Sequence, residues 1–174
     1  MAAVDRVDKC ETISVHEVAK WIRLRKGPNP TDRAKPGSKR HLICDGQGIP
    51  LAIQLTGANR NDSLEALALV DAIPPLQGGR GRPRSRPHRV LGDRGYDAQS
   101  IRQGLRERGV LPLLAMRNTE HGSGLGKWRW VVERTFAWLN EFRRLRVRYE
   151  KRADIHEAFL ALGCILVCWR FLSG

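Results

Sequence analysis

Apolar and polar positions alternate most clearly between His41 and Leu55. Two runs, His41 to Asp45 and Ile49 to Leu55, are joined by Gly46, Gln47 and Gly48, which predicts a β-hairpin with Ile49, Leu51, Ile53 and Leu55 on one face. Asp62, with Glu65 three residues on, predicts a capped helix through Leu64, Leu67, Ala68 and Asp71 that Pro74 and Pro75 stop. Arg89 to Gly92 reads as a short strand running into Asp93. Asp97 is then expected to cap a helix through Ile101 and Leu105 that ends at Gly109, and Val110 to Ala115 reads as a further buried strand. The last capped run begins at Asp154, with Glu157 as its partner. It predicts a helix apolar on nearly every side through Phe159, Leu162, Ile165, Leu166 and Trp169, buried against the sheet.

The segment from Arg129 to Arg152 predicts one long helix. At about 100° per residue, Val131, Val132, Thr135, Trp138, Leu139, Phe142 and Leu145 share a broad face that reads as core. Nearly opposite runs a polar stripe of Arg129, Glu133, Ala137, Asn140 and Arg144, with Trp130 and Phe136 on its flanks. The front of the chain is less regular. Ala2 to Val4 before Asp5 could end a short strand, and Ile13, Val15, Val18 and Ile22 fit a strand or an irregular helix equally well. Gly27 to Ser38 is a loop by its Pro, Gly and Asn content. The order hairpin, helix, strand, helix, strand, helix, helix gives a mixed α/β class.

Charge adds a partner to this picture. The 174 residues hold 31 Lys and Arg against 18 Asp and Glu, a formal net charge of +13 that favours a polyanion. The excess is clustered. Arg33, Lys35, Lys39 and Arg40 form one group, and Arg80, Arg82, Arg84, Arg86 and Arg89 form another within a Gly, Pro and Arg loop whose alternative reading is a flexible linker. Cys10, Cys44, Cys164 and Cys168 form no metal-ligand pattern and read as free thiols of a reducing cytosol. The longest uncharged apolar stretch, Ala158 to Trp169, is 12 residues, too short to span a bilayer. Gly122, Gly124, Gly126 and Lys127 imitate a phosphate loop, but the spacing is wrong and Trp128 stands where Ser or Thr would hold magnesium.

Two carboxylates carry the candidate chemistry. Asp93 ends a strand, where α/β folds place their sites, although a strand-end Asp is commonly a turn residue. Glu133 lies on a later helix, where the plain alternative is a surface ion pair with Arg129. Convergence of the two would suit phosphoryl transfer, in which paired magnesium ions clamp the attacking and leaving oxygens.

From Gly27 onward the chain resembles the catalytic domain of bacterial insertion-sequence transposases of the DDE type, in the group whose glutamate lies in a Y-R-E-K helix signature. The matching stretches are GPNPTDRAKPGSKRHLICDGQGIPLA, LTGANRNDS, LGDRGYD, HGSGLGKWRWVVERTFAWL and FRRLRVRYEKRADIHEAFL, roughly five sixths of the chain. The resemblance implies a ribonuclease-H-like mixed sheet flanked by helices, with the first strand unassigned. It makes Asp93 the second catalytic acid and Glu133 the third, both metal ligands, with Mg2+ or Mn2+ as cofactor. Arg129 falls on the signature's Arg, whereas Gly126 and Asn140 replace its Tyr and Lys.

The departure is at the front. The family's first Asp ends a strand ahead of the Gly-Pro loop and by spacing falls near Ile13, where this chain has no acid. Asp5 is the candidate for that catalytic and metal-binding role, and Asp8 is a poorer copy. Residues 1–26 are therefore expected to be a divergent or truncated amino-terminal segment ahead of a catalytic domain at 27–174. The resemblance implies metal-dependent cleavage and strand transfer at element ends, on double-stranded DNA with terminal inverted repeats. It further implies a homodimer on DNA, in the cytoplasm at the nucleoid, with no membrane association. Arg129, Arg144, Arg80, Arg82, Arg84, Arg86, Lys39 and Arg40 are the expected DNA contacts. The alternative is a folded, basic DNA-binding remnant without chemistry. A nuclease acting on RNA hybrids fits the matching stretches less well.

Overall fold

A computed structural model of the chain describes residues 14–20, 27–29, 36–77, 81–118, 126–150 and 152–173, the first stretch by its backbone. The strands are β1 (Ser14–Lys20), β2 (Gly27–Pro28), β3 (Pro36–Cys44), β4 (Pro50–Gly57), β5 (Arg89–Gly92) and β6 (Leu111–Leu114). The α-helices are α1 (Asp62–Asp71), α2 (Gln99–Glu107), α3 (Gly126–Glu141), the single turn α4 (Arg143–Arg146) and α5 (Ala153–Ser173).

The segment that fitted strand and helix equally is a strand, and it is the centre of the sheet. β1 runs antiparallel to β3, from Ser14 opposite Cys44 to Lys20 opposite Ser38, and parallel to β5, with Ser14 opposite Leu91 and Val15 opposite Gly92. β4 pairs with the far side of β3, and β6 extends the parallel half beyond β5. Ala2 to Val4 lies outside the described residues.

Successive residues of β3 point to opposite faces and divide the core in two. Ile43 packs with Leu69, Val70, Val90, Tyr96, Ile101 and Leu105 under α1 and α2. Leu42 and Cys44 pack with Leu55, Val131, Val132, Phe136, Leu139 and Leu160 under α3 and α5. The expected single face of the hairpin holds for Ile53 and Leu55 but not for Leu51. A register shift between Ile43 and Cys44 leaves Leu51 as the extra residue of a β-bulge, which turns it into the Ile43 cluster.

Three helix boundaries differ from expectation, two because a polar side chain has a better partner and one because an apolar side chain does. Asn61, not Asp62, caps α1 by accepting from Ser63 N, while Asp62 takes Lys39 Nζ at 3.1 Å. Asp97 does not cap α2, whose N-cap is Ala98. The long helix breaks at Phe142, where the backbone is extended, and α4 restarts from there. The break lets Leu145 reach the core beside α5, so close that a Cβ on Gly163 would lie 2.6 Å from Leu145 Cδ1.

The closing helix is buried along only one stripe, made by His156, Leu160, Gly163 and Val167. Its outer side leaves Leu162, Ile165, Trp169 and Leu172 exposed. At 21 residues with a mean hydropathy of 1.7, α5 is by length and composition long and apolar enough to cross a membrane, because the helix runs past both ends of the uncharged stretch.

Candidate active site at the end of the central strands

Asp93 leaves β5 in extended conformation and caps a short 3-10 turn, Arg94 to Tyr96, by accepting the Gly95 N–H on Oδ1 at 2.8 Å. A Cβ at 95 would sit 2.9 Å from that same oxygen, so any larger residue there would displace the Asp93 carboxyl. Gly92 is equally constrained. Its Cβ would lie 2.6 Å from Leu114 Cδ2 and 3.3 Å from Tyr96 Cβ. Tyr96 is buried in the core, so the turn is pinned on its far side.

A clamp that the sequence did not announce locks this turn to the loop after β6. Asp97 accepts Arg102 Nη2 at 2.7 Å on Oδ1 and the backbone N–H of Arg117 at 2.7 Å on Oδ2. The Arg117 guanidinium returns to Arg94 O at 3.0 Å and Gly95 O at 3.3 Å. The Arg117 N–H and then Arg102 hold the Asp97 carboxyl below the usual carboxylate range. Asp97 and Arg117 are 20 residues apart, and no local pattern in the chain links them.

Glu133 is placed differently. It lies on the outer side of α3, about half exposed, and its partner among the described residues is Arg129, Nε to Oε1 3.4 Å. The surface ion pair is therefore present. Beneath it α3 is held firmly, since Thr135 Oγ1 lies 2.8 Å from Gly48 O, and Arg134 donates to Gln47 O. The Arg134 guanidinium is also sandwiched between the rings of Trp130 and Trp138, at 4.4 and 4.8 Å from their centroids. Phe136, expected on a flank of the polar stripe, is core instead, with Arg40 stacked 5.5 Å from its centroid.

The basic residues separate into surface and scaffold. Arg82, Arg84 and Arg86 are exposed; Arg84 meets His88 at 2.8 Å and Arg86 reaches Arg108 O at 3.4 Å. Arg80 lies outside the described residues. Arg40, an expected DNA contact, is only 2% exposed and donates to Asn140 Oδ1 and Leu145 O, so burial removes it from any surface that a phosphate could reach. Burial also lowers its pKa to about 10, which leaves it charged near neutrality. Lys39 is largely covered and anchors Arg60 O and Asp62. Arg144 is exposed but bound to the buried Glu150 at 2.8 Å.

β5 pairs with β1, and α3 packs across β1, so Asp93 and Glu133 both belong to neighbours of the central strand. The transposase DDE domain model matches residues 11–168. The protein named as the transposase for insertion sequence element IS402 of Burkholderia cepacia is 62% identical over 153 residues, 88% of this chain and 72% of that one.

This chain belongs to the DDE-domain transposases. A second family member, the transposase for insertion sequence element IS1106 of Neisseria meningitidis serogroup B, is 30% identical over 149 residues, 79% of this chain and 46% of that one. In fold it resembles the catalytic core domain of BIV integrase, with a TM-score of 0.53 at 12% identity over 90% of this chain and 82% of that chain. A chain of the simian T-cell lymphotropic virus intasome gives 0.50 at 13% identity, over 89% of this chain and 47% of that one. The fold is the expected ribonuclease-H-like one, and the chain is a DNA transposase catalytic domain.

DDE transposases depend on divalent metal, and the donors here suit a hard cation in part. The second oxygen of Asp93 accepts no hydrogen bond among the described residues, and Glu133 is open to solvent. Among the described residues, however, no three of His, Cys, Asp and Glu are grouped to hold a metal ion. The central strand reads Ser-Val-His-Glu-Val-Ala-Lys, with Glu17 as its one acid. Asp5 lies outside the described residues, nine positions ahead of that strand.

Proposed function

We propose that this domain cleaves and rejoins phosphodiesters at insertion-sequence ends, with Asp93 and Glu133 as two of the carboxylates that hold Mg2+ or Mn2+. The reading is carried by one observation: a rigid turn presents Asp93 with an uncommitted oxygen beside the central strand that α3 also crosses. When bound, the ions activate the attacking oxygen and neutralise the leaving one. The chain supplies position. Gly95 N–H and the Asp97–Arg117 clamp orient Asp93, while α3, fixed through Thr135 and Arg134, orients Glu133. Arg129 is free to exchange Glu133 for a phosphate, because an exposed pair of this kind is worth only a few tenths of a kcal/mol. Arg82, Arg84 and Arg86 grip the backbone of double-stranded DNA, whose terminal inverted repeats are the specific substrate, in the cytoplasm at the nucleoid.

The first carboxylate is the weak point of this chain, since the central strand carries no aspartate. Nicking of supercoiled plasmid in Mn2+ is expected to be feeble. It should rise when a strand carrying Asp followed by Ser replaces residues 1–26, and fall again with Asp93→Asn or Glu133→Gln. Nicking that survives both substitutions would refute the assignment, and strong activity abolished by Asp5→Asn would give the first role to Asp5.

A further inference from the structure

The exposed side of α5 is ordered. Ile155, Ala158, Leu162, Ile165, Trp169 and Leu172 are all exposed and follow spacings of 3, 4, 3, 4 and 3, the a and d positions of a heptad repeat. His156, Leu160, Gly163 and Val167, which face the sheet and α3, lie on the opposite side of the helix. The helix thus satisfies its own fold with one stripe and leaves a second, uncharged stripe unpartnered. We propose that this second stripe pairs antiparallel with the same stripe of a second copy of the chain, making α5 a dimerisation helix.

Three features select that occupant. Antiparallel pairing about the middle of the stripe sets Ile155 against Leu172, Leu162 against Ile165, and the small Ala158 against the large Trp169. Parallel pairing would bring Trp169 against Trp169 and leave Ala158 facing Ala158. The ends are opposite in charge as well, with Asp154 in the first turn and Arg170 in the last, although each already has a partner in its own chain, Arg152 at 2.6 Å and Glu141 at 3.0 Å, so this contribution is small. Finally, the exposed fractions of Ile155, Leu162, Ile165, Leu166, Trp169 and Leu172 amount to roughly 650 Å² of apolar surface, above a typical monomer's largest patch and close to the ~800 Å² per partner of a stable interface. A groove of about 460 Å³ between α5 and Pro50, Leu51, Ala52 and Ile53 extends the apolar surface onto β4.

Charge sets a distinctive signature. Two copies at +13 repel, while the seam itself is uncharged, so dimerisation should tighten as salt rises and DNA binding should weaken. Sedimentation of the 174-residue chain at up to about 100 µM is expected to show a dimer, more populated at about 0.5 M salt than at 0.1 M. Ile165→Glu and Trp169→Glu, both at exposed positions, should each weaken the dimer by at least about 30-fold with unchanged circular dichroism and DNA affinity. A monomer under all these conditions, a dimer untouched by both substitutions, or partition into phosphatidylcholine vesicles in place of pairing would overturn the proposal. Glu133→Gln should leave the dimer intact, so failure of the catalytic reading and failure of this one are separable.

Discussion

The two carboxylates of this domain are held in opposite ways. The side of the sheet that carries Asp93 is mainly apolar around the buried His41 and Glu65, and the bonds that hold the Asp93 turn lie outside, in the Asp97–Arg102–Arg117 clamp. On the side that carries Glu133 the functional residue is bare, and the directional bonds are inside. There Arg40, Arg148, Glu150 and His156 are all buried, with Arg148 Nε donating to Glu150 O at 3.0 Å and His156 Nδ1 3.6 Å from Glu150 Oε2. A turn at a strand end has few neighbours and needs an external brace, whereas a helix is braced through its buried face. Sensitivity to substitution and to acid should differ accordingly.

On the proposed assignment both acids serve one reaction, so the largest effects should erase the difference. Asp93→Asn keeps an oxygen for Gly95 and Glu133→Gln keeps the helix, so neither should shift the urea midpoint measurably, yet in the chain whose residues 1–26 are replaced by an Asp-bearing strand each should lower Mn2+-dependent cleavage by about 100-fold or more. A loss from only one of them would show that the other is structural.

Acid should separate the two sides. Burial, helped by Arg148 and Arg40, lowers the His156 pKa from 6.5 to about 4, so the imidazole is neutral in the fold. Burial pushes the Glu150 carboxyl up, but its own backbone N–H and Arg144 pull it further down, so it remains ionised. A folded His pKa below the unfolded one gives stability that is complete above about 6.5 and lost as pH falls toward 4, about 2–3 kcal/mol in all. The depressed Asp97 carboxyl is likewise stabilising above the carboxylate range and loses its contribution only below about pH 4. Urea melts between pH 7 and 4.5 should therefore report His156 together with His41, whose pKa burial also lowers on the α1 side, and His156→Gln should flatten only the Glu133 side's share of the slope.

Two glycines offer a matched probe. Gly92→Ala drives a Cβ toward Leu114 and Tyr96 with no compensating gain and should cost about 2 kcal/mol. Gly163→Ala meets Leu145 as closely but gains roughly 0.5–1 kcal/mol of helix propensity, so its net cost should be smaller by that amount. Equal midpoint shifts would mean that the turn yields as readily as the helix pair. Smaller still, Asp97→Asn should lower the urea midpoint slightly through the clamp, and Arg129→Ala should stay within about 0.5 kcal/mol.

What was legible in the chain follows the same division. The hairpin, β5 and the Asp93 turn were readable because alternation and glycine spacing are local signals, and Asp93 lies where the strand pattern placed it. The break at Phe142 was not readable, because Phe142 and Leu145 keep helical spacing with Leu139 across an extended residue. The inner stripe of α5 was hidden for another reason. When every side of a helix is apolar, periodicity cannot say which side the sheet covers. Asp97 looked like a cap because a strand-to-helix Asp usually is one, and only the fold brings Arg117 to it.

The central place of β1 also has a consequence in time. Its antiparallel partner β3 begins 16 residues after β1 ends, but Leu91, which pairs with Ser14, follows it by 77 residues. At ribosomal rates of about 5–20 residues per second, β1 waits roughly 4–15 seconds for that partner, and for roughly the last 2–7 seconds, after Gly57 completes β4, the β1–β3–β4 meander presents an unpaired edge. The nascent domain is therefore most exposed to mispairing in the interval before β5 emerges, and a chaperone that shields strand edges would act on it then.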